Sequence, residues 1–119
     1  MVSPHCTFCD IVAGRLPSRT RYEDDDILVF HNQLDWVPVM LLVVPKRHVS
    51  QRDLWSSGDL LATMGEIAVR LGEESCPNGF RVLSNFGSDG LQTQPHGHLH
   101  VIGGAPLGLY LRARGPYPH

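Results

Sequence analysis

The sequence predicts an α+β fold with an antiparallel meander sheet, and three observations carry that reading. Two short apolar runs, ILVFH at 27–31 and VMLLVV at 39–44, are bounded by acidic, asparagine and proline residues, as strands are. One stretch repeats its apolar residues at a helical period, through Leu60, Leu61, Met64, Ile67, Ala68 and Leu71. Two more short strand patterns, FRVLSN and HLHVI, follow it closely, giving strand, strand, helix, strand, strand. At 119 residues, 42% hydrophobic and 18% charged, the chain suits a single domain over 1–119.

Each element has a local reason. FCDIVAG reads as a short helix stopped by Gly14, before a turn at Pro17. The acidic residues at 23–26 mark a turn into the first strand, and the loop NQLDWVP ends at Pro38. VMLLVVP is the length of a buried strand. Ser56 and Asp59 fit a capping box at the start of the long helix, and CPNG at 76–79 ends it. A Gly-rich loop, FGSDGLQTQP, leads into HGHLHVIGG, whose period of two puts Leu99 and Val101 on one face and His98 and His100 on the other. The tail holds four residues able to bury, Leu109, Tyr110, Leu111 and Tyr117.

Composition excludes several function classes. A net charge of −2 offers no basic excess for nucleic acid or an acidic membrane. The longest apolar run is far below the roughly 18 residues that span a bilayer. MVSPHCTFCD has no basic region followed by an apolar stretch, so a cytoplasmic protein is expected. Such a small core gains from a metal, an oligomer interface, or both.

The chemistry lies in 3 cysteines and 7 histidines. His96, His98 and His100 would project to one side of a strand, about 7 Å apart along it. Such a row can bind a metal. It can also present one imidazole as a nucleophile beside two that orient it, or form a solvated polar face. Cys6 and Cys9 form a C-x-x-C pair, which in a reducing compartment reads as a metal site, two packed thiols or a redox pair. Cys76 reads as a buried small apolar residue.

PHGHLHVIGG resembles the histidine-triad (HIT) signature of the Hint branch of nucleotide-binding hydrolases, in its bacterial type with an N-terminal CxxC. CTFCDIVAGRLPS, VVPKRHVS and NFGSDGLQTQPHGHLHVIGG match that branch's N-terminal segment, central strand and phosphate loop with triad, in order. The resemblance implies a HIT-like, five-stranded antiparallel meander with one long and one short helix. It also implies a homodimer joined through the long helix and its neighbouring strand. His98 becomes the nucleophile on the α-phosphorus of a nucleoside phosphoramidate or related conjugate of an AMP- or GMP-like nucleotide, through a nucleotidyl-histidine. His100 contacts a phosphate oxygen or the leaving group, while Asn85, Gly90, Leu91, Gln92 and Thr93 bind phosphate. For Asn85 and Thr93 the competing role is turn capping. Phe30 lines the base pocket or belongs to the core.

The same resemblance implies a structural Zn(2+) held by Cys6, Cys9, His48 and His96, with His5 a rival ligand. Two positions depart from the family pattern. Asn32 stands where an Asp takes both ribose hydroxyls, and an amide offers one oxygen and one NH2 instead. Met40 stands where a histidine is usual. The alternative function is therefore a nucleotide-binding or dimeric interaction module with weak or no catalysis. A catalytic metal on all three triad histidines is a third reading.

Overall fold

The structure, a computed structural model, describes residues 6–34 and 36–109. His5, Tyr110, Leu111 and Tyr117 lie outside them. Three helices, α1 (Thr7–Val12), α2 (Gln51–Trp55) and α3 (Gly58–Ser75), accompany five strands: β1 (Thr20–Glu23), β2 (Ile27–His31), β3 (Val39–Pro45), β4 (Phe80–Leu83) and β5 (Leu99–Gly103).

Every strand pair is antiparallel, in the order β1-β2-β3-β5-β4. The α+β class and the five-stranded antiparallel sheet are as the sequence predicts, but the meander is interrupted after β3. The 18 residues of α3 carry the chain to the far edge, where it runs as β4 and returns as β5. That detour puts β5 inside the sheet, hydrogen-bonded on both sides.

Alternation along the strands sorts the core into two faces. Ile27, Val29, Leu41, Val43, Leu99 and Val101 pack against Met64, Ile67, Ala68 and Leu71 of α3. Leu28, Phe30, Leu42 and Val44 pack on the other face with Cys6, Phe8 and Cys9. Strands covered on both faces need continuous apolar runs, which is why 27–30 and 41–44 do not alternate.

Two local features differ from the sequence reading, β1 and the start of the long helix. β1 is a polar edge strand, TRYE, with an irregular register between Thr20 and Tyr22. It is tied to α3 by Arg70 over the Tyr22 ring and an Arg21–Glu74 pair at 2.9 Å, so no apolar run announces it. Residues Asp24 to Ile27 do form the expected turn, with Asp24 Oδ1 accepting from the N–H groups of Asp26 and Ile27. The proposed capping box at Ser56 and Asp59 is replaced by a second short helix, α2, capped by the Ser50 side chain on the Asp53 N–H. Ser56 and Ser57 donate back to the Arg52 and Asp53 carbonyls of α2, so α3 starts without a side-chain cap. Gly14 does end α1, at φ +79°.

Candidate functional site

β5 begins at Leu99, so His96 sits in the bend before it rather than on a strand. The alternation argument therefore joins His98 to His100, whose ring centroids lie 4.9 Å apart, and not His96 to either. The bend presses on the start of α2. Gly97 donates to the Val49 carbonyl at 2.6 Å, and a Cβ on Gly97 would lie 2.9 Å from the Ser50 carbonyl oxygen. Only glycine allows that approach. His100 faces away from α3, beside Leu42, which in turn pairs with Phe30.

His98 is held at three points. Its N–H donates to Gln51 Oε1 at 2.9 Å, and its carbonyl accepts from Ser84 Oγ at 2.6 Å. Its ring Nδ1 lies 2.7 Å from the His96 carbonyl oxygen. A carbonyl only accepts, so Nδ1 carries the hydrogen and Nε2 carries the lone pair. Nε2 makes no hydrogen bond among the described residues, and no fully buried side-chain nitrogen there lacks a partner, so it reaches solvent. The rest of the ring is nearly enclosed, at 3% exposure, with the Phe8 ring edge-on at 5.1 Å. Burial pushes the imidazole below its ordinary pKa, more than the His96 carbonyl raises it. His100 is pushed down to about 4, by burial first and then by His98. Both rings are neutral at pH 7, as a nucleophile requires.

The Gly-rich loop closes on itself. Gln92 N–H donates to the Gly87 carbonyl at 3.0 Å, and Gln92 Oε1 accepts from the Gly87 N–H at 3.0 Å. The Gln92 side chain is thus spent on the loop's own shape. Leu91 is left-handed at φ +59° and 77% exposed, a strain of roughly 1–2 kcal/mol for a residue with a Cβ. Gly90 packs on the Phe86 backbone, where a Cβ would clash. The side chains of Asn85 and Thr93 make no hydrogen bond among the described residues, so neither caps a turn. Asn32 Oδ1 accepts from the Leu34 N–H at 3.0 Å, the bond that shapes its own turn. Phe30 is a core residue, 3% exposed and edge-on to Phe8 at 5.5 Å. Met40 pairs with Ile102 in the sheet.

Behind the triad, Cys6, Cys9, His48 and His96 bring four donor atoms within 4.8 Å of one another. His96 Nδ1 lies 3.5 Å from Cys6 Sγ and 3.4 Å from Cys9 Sγ, and His48 Nδ1 lies 3.2 Å from Cys9 Sγ. Tetrahedral zinc with Zn–S and Zn–N of about 2.3 and 2.0 Å sets such donors about 3.3–3.8 Å apart. The fit extends beyond the ligands. His96 Nε2 donates to the Pro45 carbonyl at 2.6 Å, which leaves Nδ1 unprotonated toward the sulfurs. Burial pushes His96 down to about 4 and the Cys6 thiol up, so a cation is what would make a thiolate stable here.

The sequence pattern of the HIT domain matches residues 13–107. The chain belongs to the HIT domain family. An uncharacterised HIT-like protein of Chlamydia muridarum is 33% identical over 101 residues, covering 82% of this chain and 80% of its own. A HIT family hydrolase from Clostridium thermocellum superposes at a TM-score of 0.84 with 28% identity, over 93% of this chain and 100% of its own. A zinc-bound histidine triad family protein from Mycobacterium smegmatis superposes at 0.75 with 30% identity, over 83% and 74%.

This HIT domain also uses residues the sequence did not single out. Phe8, between the two cysteines, contacts His96, His98 and Phe30. Gln51, 3% exposed, bonds both His98 and Asn85. Nothing in a lone Phe or Gln marks such a role, although Gln51 follows PKRHVS directly. Among the described residues no helix is long and apolar enough to cross a membrane.

Proposed function

We propose that this protein is a nucleotidyl hydrolase or transferase acting through His98. Its Nε2 attacks the α-phosphorus of a nucleoside phosphoramidate or a related purine nucleotide conjugate. The N–P bond to His98 forms as the bond to the leaving group breaks, and an amine leaving group departs with a proton from solvent. Water then forms a P–O bond, the N–P bond breaks, and a nucleoside monophosphate and neutral His98 result. The observation that carries this reading is the Nδ1–His96 carbonyl bond, which exposes the Nε2 lone pair and would stabilise the positive charge that grows on the ring.

His100, neutral and adjacent, would donate to a phosphate oxygen or meet the leaving group. The unengaged side chains of Asn85 and Thr93, with the backbone of Gly90, Leu91 and Gln92, would take the phosphates. Phe30 reaches a base only as the floor of its pocket, and Asn32 offers the ribose an NH2 while its oxygen serves the turn. Cys6, Cys9, His48 and His96 would hold Zn(2+), as the donor spacing and the zinc-bound relative support. Such a metal, if all four positions were filled by protein, would cross-link α1 to the sheet and would do no chemistry on substrate. A homodimer through α3 and β4 would cover Val69 and Val82, which are 46% and 37% exposed.

Mass spectrometry of protein quenched with adenosine phosphoramidate tests the reaction. A nucleotidyl adduct that vanishes in His98→Ala is the expected result. The competing reading, a binding module without turnover, draws on Asn32 and Met40; AMP bound tightly with no adduct and no turnover would establish it instead.

A further inference from the structure

The bonds around His98 single out a side chain outside the triad. Gln51 opens α2, and its amide is buried between two backbone groups. Oε1 accepts from the His98 N–H at 2.9 Å and Nε2 donates to the Asn85 carbonyl at 3.2 Å. The orientation is forced, because an N–H must meet Oε1 and a carbonyl must meet Nε2. Four residues on, Trp55 packs against Phe86, the next residue of the same loop, with ring centroids 6.2 Å apart. Positions i and i+4 share a helix side, so α2 grips Asn85 and Phe86 while also holding His98.

We propose that Gln51 is a positioning residue that keeps the His98 nucleophile and the phosphate loop at a fixed separation, with Ser84 as the second anchor on the His98 backbone. This rests on the reaction proposed above. One amide joins the backbone of the residue that attacks to the backbone of the loop that would hold the phosphorus. An apolar side chain of equal length would leave the buried His98 N–H and the half-buried Asn85 carbonyl without their partner. The ring and the loop would then relax apart. Displacements near 1 Å in a reacting pair cost up to about 100-fold in rate.

The two ends of the amide make separable demands. Gln51→Glu keeps an acceptor for the His98 N–H but turns an oxygen toward the Asn85 carbonyl, so it disturbs the loop and spares the nucleophile. Gln51→Met loses both ends. Ser84→Ala loosens His98 and spares the loop.

The test is single-turnover labelling of His98 by adenosine phosphoramidate in full-length protein, with zinc content and circular dichroism measured on the same samples. Gln51→Met is expected to slow labelling at saturation by about 10- to 100-fold. Gln51→Glu is expected to stay within about threefold of wild type at saturation while raising the half-saturating concentration about tenfold, and Ser84→Ala to show the reverse split. A general loss of fold would move zinc content and circular dichroism and would not separate the two parameters. Wild-type labelling with Gln51→Met folded and equally fast overturns the positioning role and leaves the reaction standing. If Gln51→Met does not fold, the opposite splits of Gln51→Glu and Ser84→Ala decide, and identical behaviour of those two overturns the role. A wild type that forms no adduct overturns the reaction, and this role with it.

Discussion

His96 and His98 are two residues apart, and each has one ring nitrogen tied to a backbone carbonyl, yet they end in opposite states. Pro45 takes the Nε2 hydrogen of His96, so that ring turns Nδ1 into the cysteine cluster. His96 itself takes the Nδ1 hydrogen of His98, so the next ring turns Nε2 outward. Which nitrogen the carbonyl captures decides whether an imidazole turns its bare nitrogen into the cysteine cluster or outward. Gly97 makes the reversal feasible by letting the chain bend against α2 between them.

The largest expected effect breaks the outward half of this contrast. His98→Ala should lower phosphoramidate turnover by at least about 1,000-fold, with zinc content unchanged, measured by steady-state assay beside elemental analysis. A second change breaks the inward half. Cys9→Ala should leave less than half an equivalent of metal and lower the melting temperature by more than about 10 °C. A chelator should do the same to the wild type, read by thermal melts with and without added zinc.

In the sequence only the family resemblance separates His96 from His98; the period of two puts both on one side, because the bend at Gly97 before β5 leaves no trace in it. The donor set Cys6, Cys9, His48 and His96 comes together as the family resemblance implies, with its donor atoms within 4.8 Å of one another. Apolar runs such as 41–44 announce buried strands, since both sheet faces are covered. β1 and α2 were not legible. The first is held by charges and a cation–π contact, and the second buries only Gln51 and Leu54, too few to show a period. Gln51 was missed for a related reason. Its role comes from a backbone N–H and a backbone carbonyl brought together from distant parts of the chain, and neither leaves a trace in residue type.

pH sharpens the comparison at smaller scale. His100 falls from 6.5 to about 4 on folding, and His98 moves the same way. Between those limits the unfolded chain binds more protons than the folded one, so this contribution is full above pH 6.5 and is lost as pH falls toward 4. Urea denaturation midpoints should therefore decline across that window, and His98 labelling should stay constant from pH 8 to the upper limit. The smallest effect concerns the ribose. Asn32→Asp supplies two acceptors, one of which can keep the turn bond to Leu34, and should lower KM about three- to tenfold with little change in kcat.

The most direct test of the central claim is a long-range 1H–15N spectrum of the histidine rings at neutral pH. For His98 the account predicts a hydrogen on Nδ1 and a bare Nε2, and for His96 the opposite assignment. A His98 ring protonated at Nε2, alone or together with Nδ1, would contradict it.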